Sequence, residues 1–444
     1  MSEWREYPLE DCLDTLIDYR GKSPKKSDTG IPVISAKVVK DGRILHPIEQ
    51  TIERDYYVEW MRRGYPRPGD VVLTTEGPLG EVAQLDSRTA KYALGQRIVV
   101  LRGHRNAVDN TFLKFLLLSP VGQERLKSYA TGTTVEGISQ KSLRKLLLPI
   151  PPIGQQLNIA ELLGALDDKI ELNRQMSETL EAMAQAIFRD WFIDFGPTRR
   201  KVEAASDPSE IMGGLVTDAE RAQQLADLFP ARFGDNGLPE GWREAEVATV
   251  ITLLKRGIAP SYCDDGILVI NQKCIRGRAV NYTLARRHDT GKRAPKERAL
   301  EEDDVLVNST GVGTLGRVAT VRGLKETATV DSHVTICRAD TTKISKLILS
   351  LFMEDKQALI ETLGHGSTGQ TELNPASLGG LVVTVAPKSL QSSFEEVVRP
   401  LRDLVTYNSD QSGTLAATRD LLLPRLMSGE VRLREAEDLL RAAQ

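Results

Sequence analysis

The chain has 444 residues, of which 41% are hydrophobic and 27% are charged, and its formal net charge is −3. This composition is typical of a soluble globular protein with roughly two to four domains, and it argues against nucleic-acid binding over the whole surface while leaving local basic patches open. The N-terminus is too charged for a signal peptide and no apolar run reaches the length of a membrane helix, whereas four cysteines without C-x-x-C spacing fit a reducing cytoplasm and indicate no zinc site.

Residues 1–151 have the pattern of a mixed α/β domain. Short β-like runs at 31–39, 70–75 and 97–101 are separated by glycine and proline, and helices are predicted at about 111–118 and 123–129. A polar loop at 132–143 and the apolar run LLLPIPP close the domain, and the prolines of that run favour the start of a helix directly after it.

A long helix is predicted over residues 152–196. Its apolar positions recur in alternating steps of four and three, which is the pattern of a coiled-coil seam. The seam positions are Ile159, Leu163, Leu166, Ile170, Asn173, Ser177, Leu180, Ala184, Ile187 and Trp191. A polar linker with one short helical piece at 218–229 is predicted to follow over residues 197–238.

The second half repeats the first, with a domain over 239–386 and a helix over 387–435. GILVINQKCIRGRAV (266–280) matches GIPVISAKVVKDGRI (30–44), and DDVLVNSTGVGTLGRVA (303–319) matches GDVVLTTEGPLGEVA (69–83) with a small insertion. The second seam is Phe394, Val398, Leu401, Val405, Asn408, Ser412, Leu415 and Leu422. Its offset from the first seam is constant, since 394 − 159 = 235 and 422 − 187 = 235.

Two helices with matching seams are expected to pack against each other. A polar residue on a seam commonly fixes the register of the pair, so we predict that Asn173 and Asn408 are buried and have this role. Pro400 and Gly413 interrupt the second helix, and Pro400 is expected to kink or restart it.

Motifs of common active sites are missing from the sequence. GVGTLG at 311–316 fits a dinucleotide fingerprint by spacing, but the β-branched run after it favours a tight turn between strands. There is no phosphate-binding loop, no metalloprotease helix motif and no nucleophile elbow, and NPAS at 374–377 does not match an aminomethyltransferase signature. The sequence therefore predicts no catalytic residue and no metal site.

Basic clusters are the remaining chemical signal, and two interpretations are open: a solvated charged face or a DNA-binding surface. The candidate cations are Lys22, Lys25, Lys26, Lys37, Lys40, Arg43, Arg62 and Arg63 in the first domain, and Arg276, Arg278, Arg286, Arg287, Lys292 and Arg293 in the second. Polar candidates for base contacts are Thr133, Gln140, Asn271, Gln272, Asn281, Ser367 and Gln370. Ordinary turn capping explains the polar group equally well.

Four longer segments carry a family resemblance. LPIPPIGQQLNIAELLGALDDKIELNRQM (148–176), IFRDWFIDFGP (187–197), DLFPARFGDNGLPEGW (227–242) and LLLPRLMSGEV (421–431), within the order domain, helix, domain, helix, resemble the specificity subunit of a type I restriction-modification system. The resemblance implies an α/β (α+β) fold in which two target-recognition domains are joined by an antiparallel coiled coil, related by a pseudo-two-fold axis.

The resemblance also implies a division of labour. Each domain would read one half of a split double-stranded DNA target, and two adenine-methyltransferase subunits would bring S-adenosylmethionine. Restriction subunits would add ATP- and magnesium-dependent translocation and cleavage, so that this chain would bind no cofactor itself. A helix of about 40 residues is roughly 60 Å long, more than the roughly 34–36 Å of one DNA turn, so the helices could set the spacing of the half-sites.

Two alternatives of other classes remain at this point. One is a non-catalytic interaction scaffold with coiled-coil arms, whose variable domains bind other ligands. The other is a methyltransferase or nuclease with unrecognised motifs. A DNA reader should lose affinity steeply with salt, whereas a scaffold should not need DNA.

Overall fold

The computed structural model describes residues 4–21, 23–132, 135–364, 372–431 and 435–436. The chain forms two compact units. Unit 1 comprises residues 1–173 and 411–444, and unit 2 comprises residues 174–410. Both boundaries fall inside a long helix, so each long helix contributes one part to each unit.

Unit 1 is a mixed unit of strands and helices. Its strands are β1 (Arg5–Pro8), β2 (Leu13–Asp18), β3 (Ile31–Ile34), β4 (Val39–Lys40), β5 (Arg43–Ile44), β6 (Thr51–Ile52), β7 (Val71–Thr75), β8 (Leu79–Gln84), β9 (Ala93–Leu94), β10 (Ile98–Gly103) and β11 (Leu147–Ile150). Its helices are α1 (Leu9–Cys12), α2 (Arg54–Trp60), α3 (Asn110–Leu118), α4 (Pro120–Ser128), α5 (Gln140–Arg144) and the first part of α6 (Ile153–Phe192).

A four-stranded antiparallel sheet in the order β2-β10-β7-β8 forms the centre of unit 1. Because side chains alternate between the two faces of a strand, neighbouring residues of β7 enter different cores. Val71 and Leu73 pack with Phe112 of α3, whereas Val72 packs with Val33 of the smaller sheet β6-β3-β9. Both faces are covered, which explains the continuous apolar run in β7.

Unit 2 has the same arrangement with additions. Its elements are α7 (Gly196–Val202), α8 (Pro208–Ile211), α9 (Ala219–Asp227), β12 (Arg243–Glu246), β13 (Ile251–Arg256), β14 (Tyr262–Cys263), β15 (Ile267–Ile270), β16 (Ile275–Arg276), β17 (Ala279–Val280), β18 (Arg286–His288), β19 (Val305–Asn308), β20 (Val318–Thr320), β21 (Ala328–Val330), β22 (Val334–Ala339), α10 (Lys346–Asp355), α11 (Gln357–Thr362), α12 (Pro375–Gly379), β23 (Val382–Val385) and α13 (Lys388–Met427). The main sheet has the order β13-β22-β19-β20, and a second sheet has the order β14-β18-β15-β21.

A buried ion pair occupies equivalent positions in the two main sheets. Arg102 donates from Nε and Nη2 to Asp70 at 2.8 and 2.7 Å, and Arg338 donates from the same atoms to Asp304 at the same two distances. The carboxylate precedes the central strand and the arginine lies on its neighbour in both units. The sequence repeat is therefore also a repeat of specific side-chain contacts.

The structure tests the sequence predictions for three segments. The segment after α6 holds α7, α8 and α9 rather than one helical piece, and Ile211, Leu225 and Phe229 from it enter the core of unit 2. GVGTLG is a turn between the antiparallel strands β19 and β20, as predicted. The last helix continues through Pro400 and Gly413, so it does not restart at Pro400, and the alternative expectation of a kink there stays a prediction.

The long helices pair antiparallel within each unit. In unit 1, Arg419 Nη1 donates to Asp167 at 2.7 Å, and Asn173 Nδ2 donates to Ser412 Oγ at 3.3 Å. In unit 2, Asn408 Nδ2 donates to Ser177 Oγ at 3.4 Å, while Phe394 stacks edge-on against Phe192 with ring centres 4.9 Å apart. Residue numbers rise on one helix as they fall on the other, which confirms the predicted antiparallel packing.

The predicted seam faces inward along both helices. Its buried members are Ile159, Leu163, Leu166, Asn173, Ala184, Ile187, Trp191, Phe394, Val398, Asn408 and Leu422, and its half-buried members are Ile170, Ser177, Leu180, Leu401, Val405, Ser412 and Leu415. The side chains of Asn173 and Asn408 are 1% and 3% exposed, as the register hypothesis requires. In the described part of the chain, no helix is long and apolar enough to span a membrane.

Candidate nucleic-acid interface

Both units hold their polar loop at the same end of the main sheet. In unit 1, Ile138 N–H donates to the Thr75 carbonyl at 3.0 Å, and the Arg20 guanidinium donates to the Ile138 carbonyl at 2.6 Å. In unit 2, the equivalent bonds run from Leu373 N–H to the Ser309 carbonyl at 2.8 Å and from Arg256 to the Leu373 carbonyl at 3.0 Å. Each loop is thus fixed at its end by one arginine.

Four predicted contact residues lie outside the described residues. They are Lys22, Thr133, Ser367 and Gln370, three of which belong to the polar loops. Gln140, the remaining loop candidate, is exposed at the first position of α5. The prediction of DNA contacts from these loops stays a prediction.

Several predicted cations are engaged in internal contacts. Arg63 donates to the carbonyls of Asp18 and Arg20 at 2.8 and 3.2 Å. Arg287 forms a two-pronged ion pair with Glu326 at 2.8 and 3.0 Å and also donates to a backbone carbonyl. Arg62, just after α2, pairs with Glu59 of that helix at 3.2 Å on the surface. Arg63 and Arg287 therefore have structural partners that the sequence did not indicate.

The asparagines predicted as base readers are turn caps in this structure. The Asn271 side chain accepts a hydrogen bond from Lys273 N–H at 2.9 Å, and that of Asn281 accepts one from Thr283 N–H at 3.0 Å. Gln272 donates to the carbonyl of Thr310 at 2.8 Å. These contacts match the turn-capping interpretation in geometry.

The other predicted cations are exposed. None of them forms an ion pair with a described residue. They are Lys25, Lys26, Lys37, Lys40 and Arg43 in unit 1, and Arg276, Arg278, Arg286, Lys292 and Arg293 in unit 2. Each unit thus exposes cations that have no ion-pair partner among the described residues and are available to an anion.

Part of the unit 2 set is held in a fixed geometry. The Arg286 guanidinium carbon lies 3.4 Å from the ring centre of Tyr262, so the cation stacks on the aromatic face. Buried His288 accepts from Ser261 N–H at 2.9 Å through Nδ1, and its Nε2 donates to the Arg293 carbonyl at 2.7 Å. His288 thereby anchors the turn that carries Lys292 and Arg293.

Sequence reasoning missed a cluster of buried charges in unit 2. Glu354 on α10 accepts from Arg402 at 2.5 Å, from Thr320 at 2.8 Å and from Gln185 at 3.1 Å. Burial, reinforced by the charge of Arg402, lowers the pKa of nearby Arg322 to about 10. The available signal was Glu354 itself, a carboxylate within the apolar helix LILSLFMED.

Sequence reasoning also missed Lys273, which is exposed and forms no ion pair with a described residue. It is the repeat equivalent of the predicted residue Lys37, since 273 − 37 = 236, as for Gly266 and Gly30. Placing the two repeats side by side would have found it.

The described residues offer little for catalysis. No group of three or more His, Cys, Asp or Glu side chains among them could hold a metal ion. Burial raises the pKa of the Cys337 thiol to about 12 and that of Cys12 to about 11, so both thiols are protonated at neutral pH and are poor nucleophiles. The chemistry that the site supports is anion binding.

Comparison with known proteins gives consistent matches. Residues 1–182 match the model of the family described as type I restriction modification DNA specificity domain. The HindI specificity subunit of Haemophilus influenzae, a type I restriction enzyme subunit, is 25% identical over 97% of this chain and 100% of its own length. The MjaIX specificity subunit of Methanocaldococcus jannaschii is 22% identical over 87% of this chain and 83% of its own.

One solved structure supports the fold. The crystal structure of the type I restriction-modification system S subunit from M. genitalium aligns with a TM-score of 0.54 at 15% identity, covering 95% of this chain and 96% of that one. At this identity the likeness concerns the fold alone, and it confirms the α+β class predicted from the sequence.

Proposed function

We propose that the chain is the DNA-recognition subunit of a type I restriction-modification complex, because residues 1–182 match the model of the family described as type I restriction modification DNA specificity domain. The proteins that it matches over most of their length are named specificity subunits, not methyltransferases or nucleases. In this proposal the chain selects the DNA sequence and contributes no catalytic residue.

One observation supports the proposal: the two units share the same fold and internal contacts but expose different sets of cations. The internal contacts recur, as in the ion pairs Asp70–Arg102 and Asp304–Arg338. The stacked Arg286 and the turn with Lys292 and Arg293 belong to a segment of unit 2 that has no close counterpart in the first repeat. A reader of two unlike DNA half-sites needs this combination of a common scaffold and divergent contacts.

The target is proposed to be bipartite. Each recognition domain reads one half-site, and the paired helices α6 and α13 set the unread spacer between them. We call the helix pair a ruler because its length would fix the distance between the half-sites. Each helix has 40 residues, which corresponds to roughly 60 Å of helix. Buried Asn173 and Asn408 on the seam support a fixed register between the helices.

The proposed partners follow from the same assignment. Two adenine-methyltransferase subunits carry S-adenosylmethionine, and restriction subunits carry ATP and magnesium, so this chain binds none of these cofactors. The complex acts on double-stranded DNA in the cytoplasm. Unneutralised cations in both units support the DNA contact.

Adenine methylation across the genome of the source cell, with and without the gene, tests the proposal. We expect methylation to disappear at one split motif when the gene is removed. Exchanging residues 239–386 for those of a relative should then change one half of that motif and leave the other half unchanged. Methylation that does not depend on the gene would contradict the proposal and favour a scaffold that binds other ligands.

The ruler has its own test. Removing one heptad from α6 within residues 159–187 is expected to alter the spacer or abolish activity, because the seam contacts with α13 fall out of register. Removing the paired heptad from α13 as well restores the register, so this double deletion should methylate a motif with a shorter spacer. An unchanged spacer in an active double deletion would exclude the ruler.

A further inference from the structure

Two exposed cations of unit 1 recur at equivalent positions in unit 2. Lys37 corresponds to Lys273 and Lys40 to Arg276, since 273 − 37 = 236 and 276 − 40 = 236. All four are exposed, and none forms an ion pair with a described residue. Most other candidate cations have no basic counterpart in the other repeat, so this pair of positions is a shared feature.

A short hairpin carries these residues in both units. In unit 1, β4 and β5 pair Lys40 with Arg43, and in unit 2, β16 and β17 pair Arg276 with Ala279. Each hairpin also touches the last strand of its main sheet at the same place. The bridge from Gly42 to Ala83 matches the bridge from Arg278 to Ala319, since 278 − 42 and 319 − 83 both equal 236.

The unit 1 hairpin brings two like charges together. Lys40 and Arg43 lie directly opposite each other on adjacent strands, an arrangement that destabilises a hairpin unless an anion offsets the repulsion. The Asp41 N–H in the turn is bonded to Glu81 at 3.1 Å, but no ion pair with a described residue neutralises the two cations. The hairpin thus presents a site for an anion.

The unit 2 hairpin shows a second sign of function. Its turn residues Gly277 and Arg278 have φ of +60° and +63°, as a two-residue hairpin turn requires. Glycine adopts this conformation without strain, whereas arginine does not, and the equivalent of Arg278 in unit 1 is Gly42. A left-handed conformation at a residue other than glycine is a reason to ask what its side chain does.

We propose that the segment from Lys37 to Arg43 in unit 1 and the segment from Lys273 to Arg278 in unit 2 are matched anchors for DNA phosphates. The inference rests on the proposed function. Residues that recur in both repeats contact what both half-sites share, and that is the sugar-phosphate backbone rather than the bases. Each anchor supplies three cations: Lys37, Lys40 and Arg43 in one, and Lys273, Arg276 and Arg278 in the other.

The complementary role falls to the cations of unit 2 that lie outside the hairpin and have no basic counterpart in unit 1. Arg286 on Tyr262 and the turn with Lys292 and Arg293 occur only in unit 2, so they are suited to contacts that distinguish its half-site. A guanidinium held flat by a ring has its N–H groups fixed in direction, as base-edge contacts require. Variants of the anchor should therefore weaken binding to every sequence, and variants of the divergent set should change the preferred sequence.

The salt dependence of binding measures phosphate contacts directly. We would measure the affinity of the purified full chain for a short fluorescent duplex of mixed sequence over a series of salt concentrations. The slope of log K against log salt falls in magnitude by about 0.9 for each phosphate that the protein no longer neutralises. The double variants K37Q/K40Q and K273Q/R276Q should each lower the slope by about 1.8, and they should do so equally.

A matched control separates phosphate contact from loss of net charge. R221Q/R232Q removes two exposed cations that pair with Glu396 and Glu240 in the segment between the recognition domains. This control has the same net charge as the two anchor variants and should leave the slope unchanged. A fall of the same size in the control would overturn the anchor.

R278G separates a binding role from a structural one. Glycine suits the backbone at this position, so thermal stability should stay the same or rise, while the salt slope falls by about 0.9. Arg278 also contributes to the electrostatic field at Glu181 in unit 2. If that were its task, R278G would change stability and leave the slope unchanged, and the inference would fail for this residue.

The outcomes also distinguish the anchor from the function on which it rests. A wild-type chain that does not bind the duplex, or binds it without dependence on salt, overturns the proposed function itself. Wild-type binding with unchanged slopes in both double variants overturns only the anchor. In cells, the anchor variants should reduce methylation at the same motif, and a changed motif would assign these residues to base reading.

Discussion

Each unit has an ion pair between a long helix and the helix that covers its main sheet. In unit 1 the carboxylate lies on the long helix and the cation on the covering helix, whereas in unit 2 the cation lies on the long helix and the carboxylate on the covering helix. Asp167 of α6 pairs with Lys114 of α3, and Arg402 of α13 pairs with Glu354 of α10. Asp167 and Arg402 occupy equivalent positions, since 402 − 167 = 235. The repeat thus preserves the position on the long helix and reverses its charge, whereas the partner on the covering helix lies one turn further along in unit 2, since the equivalent of Lys114 is Ser350 (350 − 114 = 236).

The reversal has a physical consequence for a duplicated chain. A recognition domain that docked on the wrong helix would place Lys114 against Arg402 or Glu354 against Asp167. Like charges at a buried junction cost several kcal/mol, so the two ion pairs disfavour the exchanged arrangement. Charge reversal distinguishes the two junctions even though their backbones are alike.

Other contacts at the same junctions are identical. Gln156 near the start of α6 accepts from Asp109 N–H at 2.9 Å and donates to two backbone carbonyls at 2.9 and 2.8 Å. Gln391 near the start of α13 accepts from Ser345 N–H at 2.8 Å and donates to two carbonyls at 3.2 and 2.8 Å. The junction therefore combines a contact that both repeats share with one that sets them apart.

The largest expected effect is the loss of the unit 2 ion pair. Arg402→Leu removes the hydrogen-bonded cation of buried Glu354 and leaves Arg322 to offset its charge without an ion-pair contact, so it should cost about 3–5 kcal/mol of unfolding free energy. Asp167→Leu in unit 1 should cost less, because the Asp167 side chain is 19% exposed and water reaches the site. Denaturant unfolding of the full chain, followed by tryptophan fluorescence, measures both.

The double variant Arg402→Leu with Glu354→Leu is the control for this prediction. Replacing both charges by apolar groups removes the carboxylate that has lost its ion-pair partner, but it also takes a counter-charge from buried Arg322, so the double variant should recover part of the stability that Arg402→Leu removes. A double variant as unstable as Arg402→Leu alone would show that the packing of the arginine, and not its charge, holds the junction together.

The next largest effect should be equal in the two units. Gln156→Leu and Gln391→Leu each leave one N–H and two carbonyls without this partner at a buried helix start. Each substitution should cost about 2–3 kcal/mol, measured by the same unfolding experiment. If the two substitutions lowered the unfolding free energy by clearly different amounts, equivalent hydrogen bonds would not contribute equally to stability in the two units.

The repeated domain-and-helix architecture could be predicted from the sequence because it produces local patterns of apolar residues. The seam from Ile159 to Ile187 follows helical periodicity, and the constant offset of 235 locates its partner before any contact is seen. The mixed α/β class and the packing of the two helices on each other follow from these patterns, whereas the antiparallel direction was implied by the family resemblance. Local preference was a weaker guide at Pro400, where the helix continues instead of restarting.

The candidate site was less predictable because pairing between distant residues decides which cations are available. Arg286 and Arg287 are adjacent, yet one stacks on Tyr262 and the other pairs with Glu326, 39 residues away. Nothing local distinguishes them. Asn271 was equally open to base reading and turn capping by sequence, and only the bond to Lys273 N–H shows that it caps a turn.

The smallest predicted effect is on the pH dependence of thermal stability, which should differ between substitutions of Glu181 and Glu354 in unit 2. Burial, with some help from the charge of Glu354, raises the pKa of Glu181 above its usual value, although Arg402, Arg322 and Arg278 act in the opposite direction. A raised pKa means that the fold disfavours the ionised form, so the stability present at low pH is lost as the pH rises through the folded-state pKa. E181Q removes that loss and should raise the thermal midpoint at neutral pH, with the difference fading below the usual carboxyl pKa of 4.5.

E354Q should have the opposite sign. Burial acts to raise the pKa of Glu354, but Arg402, Arg322 and the Thr320 hydroxyl outweigh it and hold that pKa below its usual value. A lowered pKa contributes stability above the unfolded-state value that is lost as the pH falls, so E354Q should lower the midpoint at neutral pH and converge with the wild type in acid. Thermal unfolding of both variants across pH measures the contrast. If E181Q also lowered the midpoint at neutral pH, Glu181 would be ionised and paired with Arg322. Unit 2 would then contain two ion pairs with separate carboxylates, whereas in unit 1 a single carboxylate, Asp167, pairs with both Lys114 and Arg419.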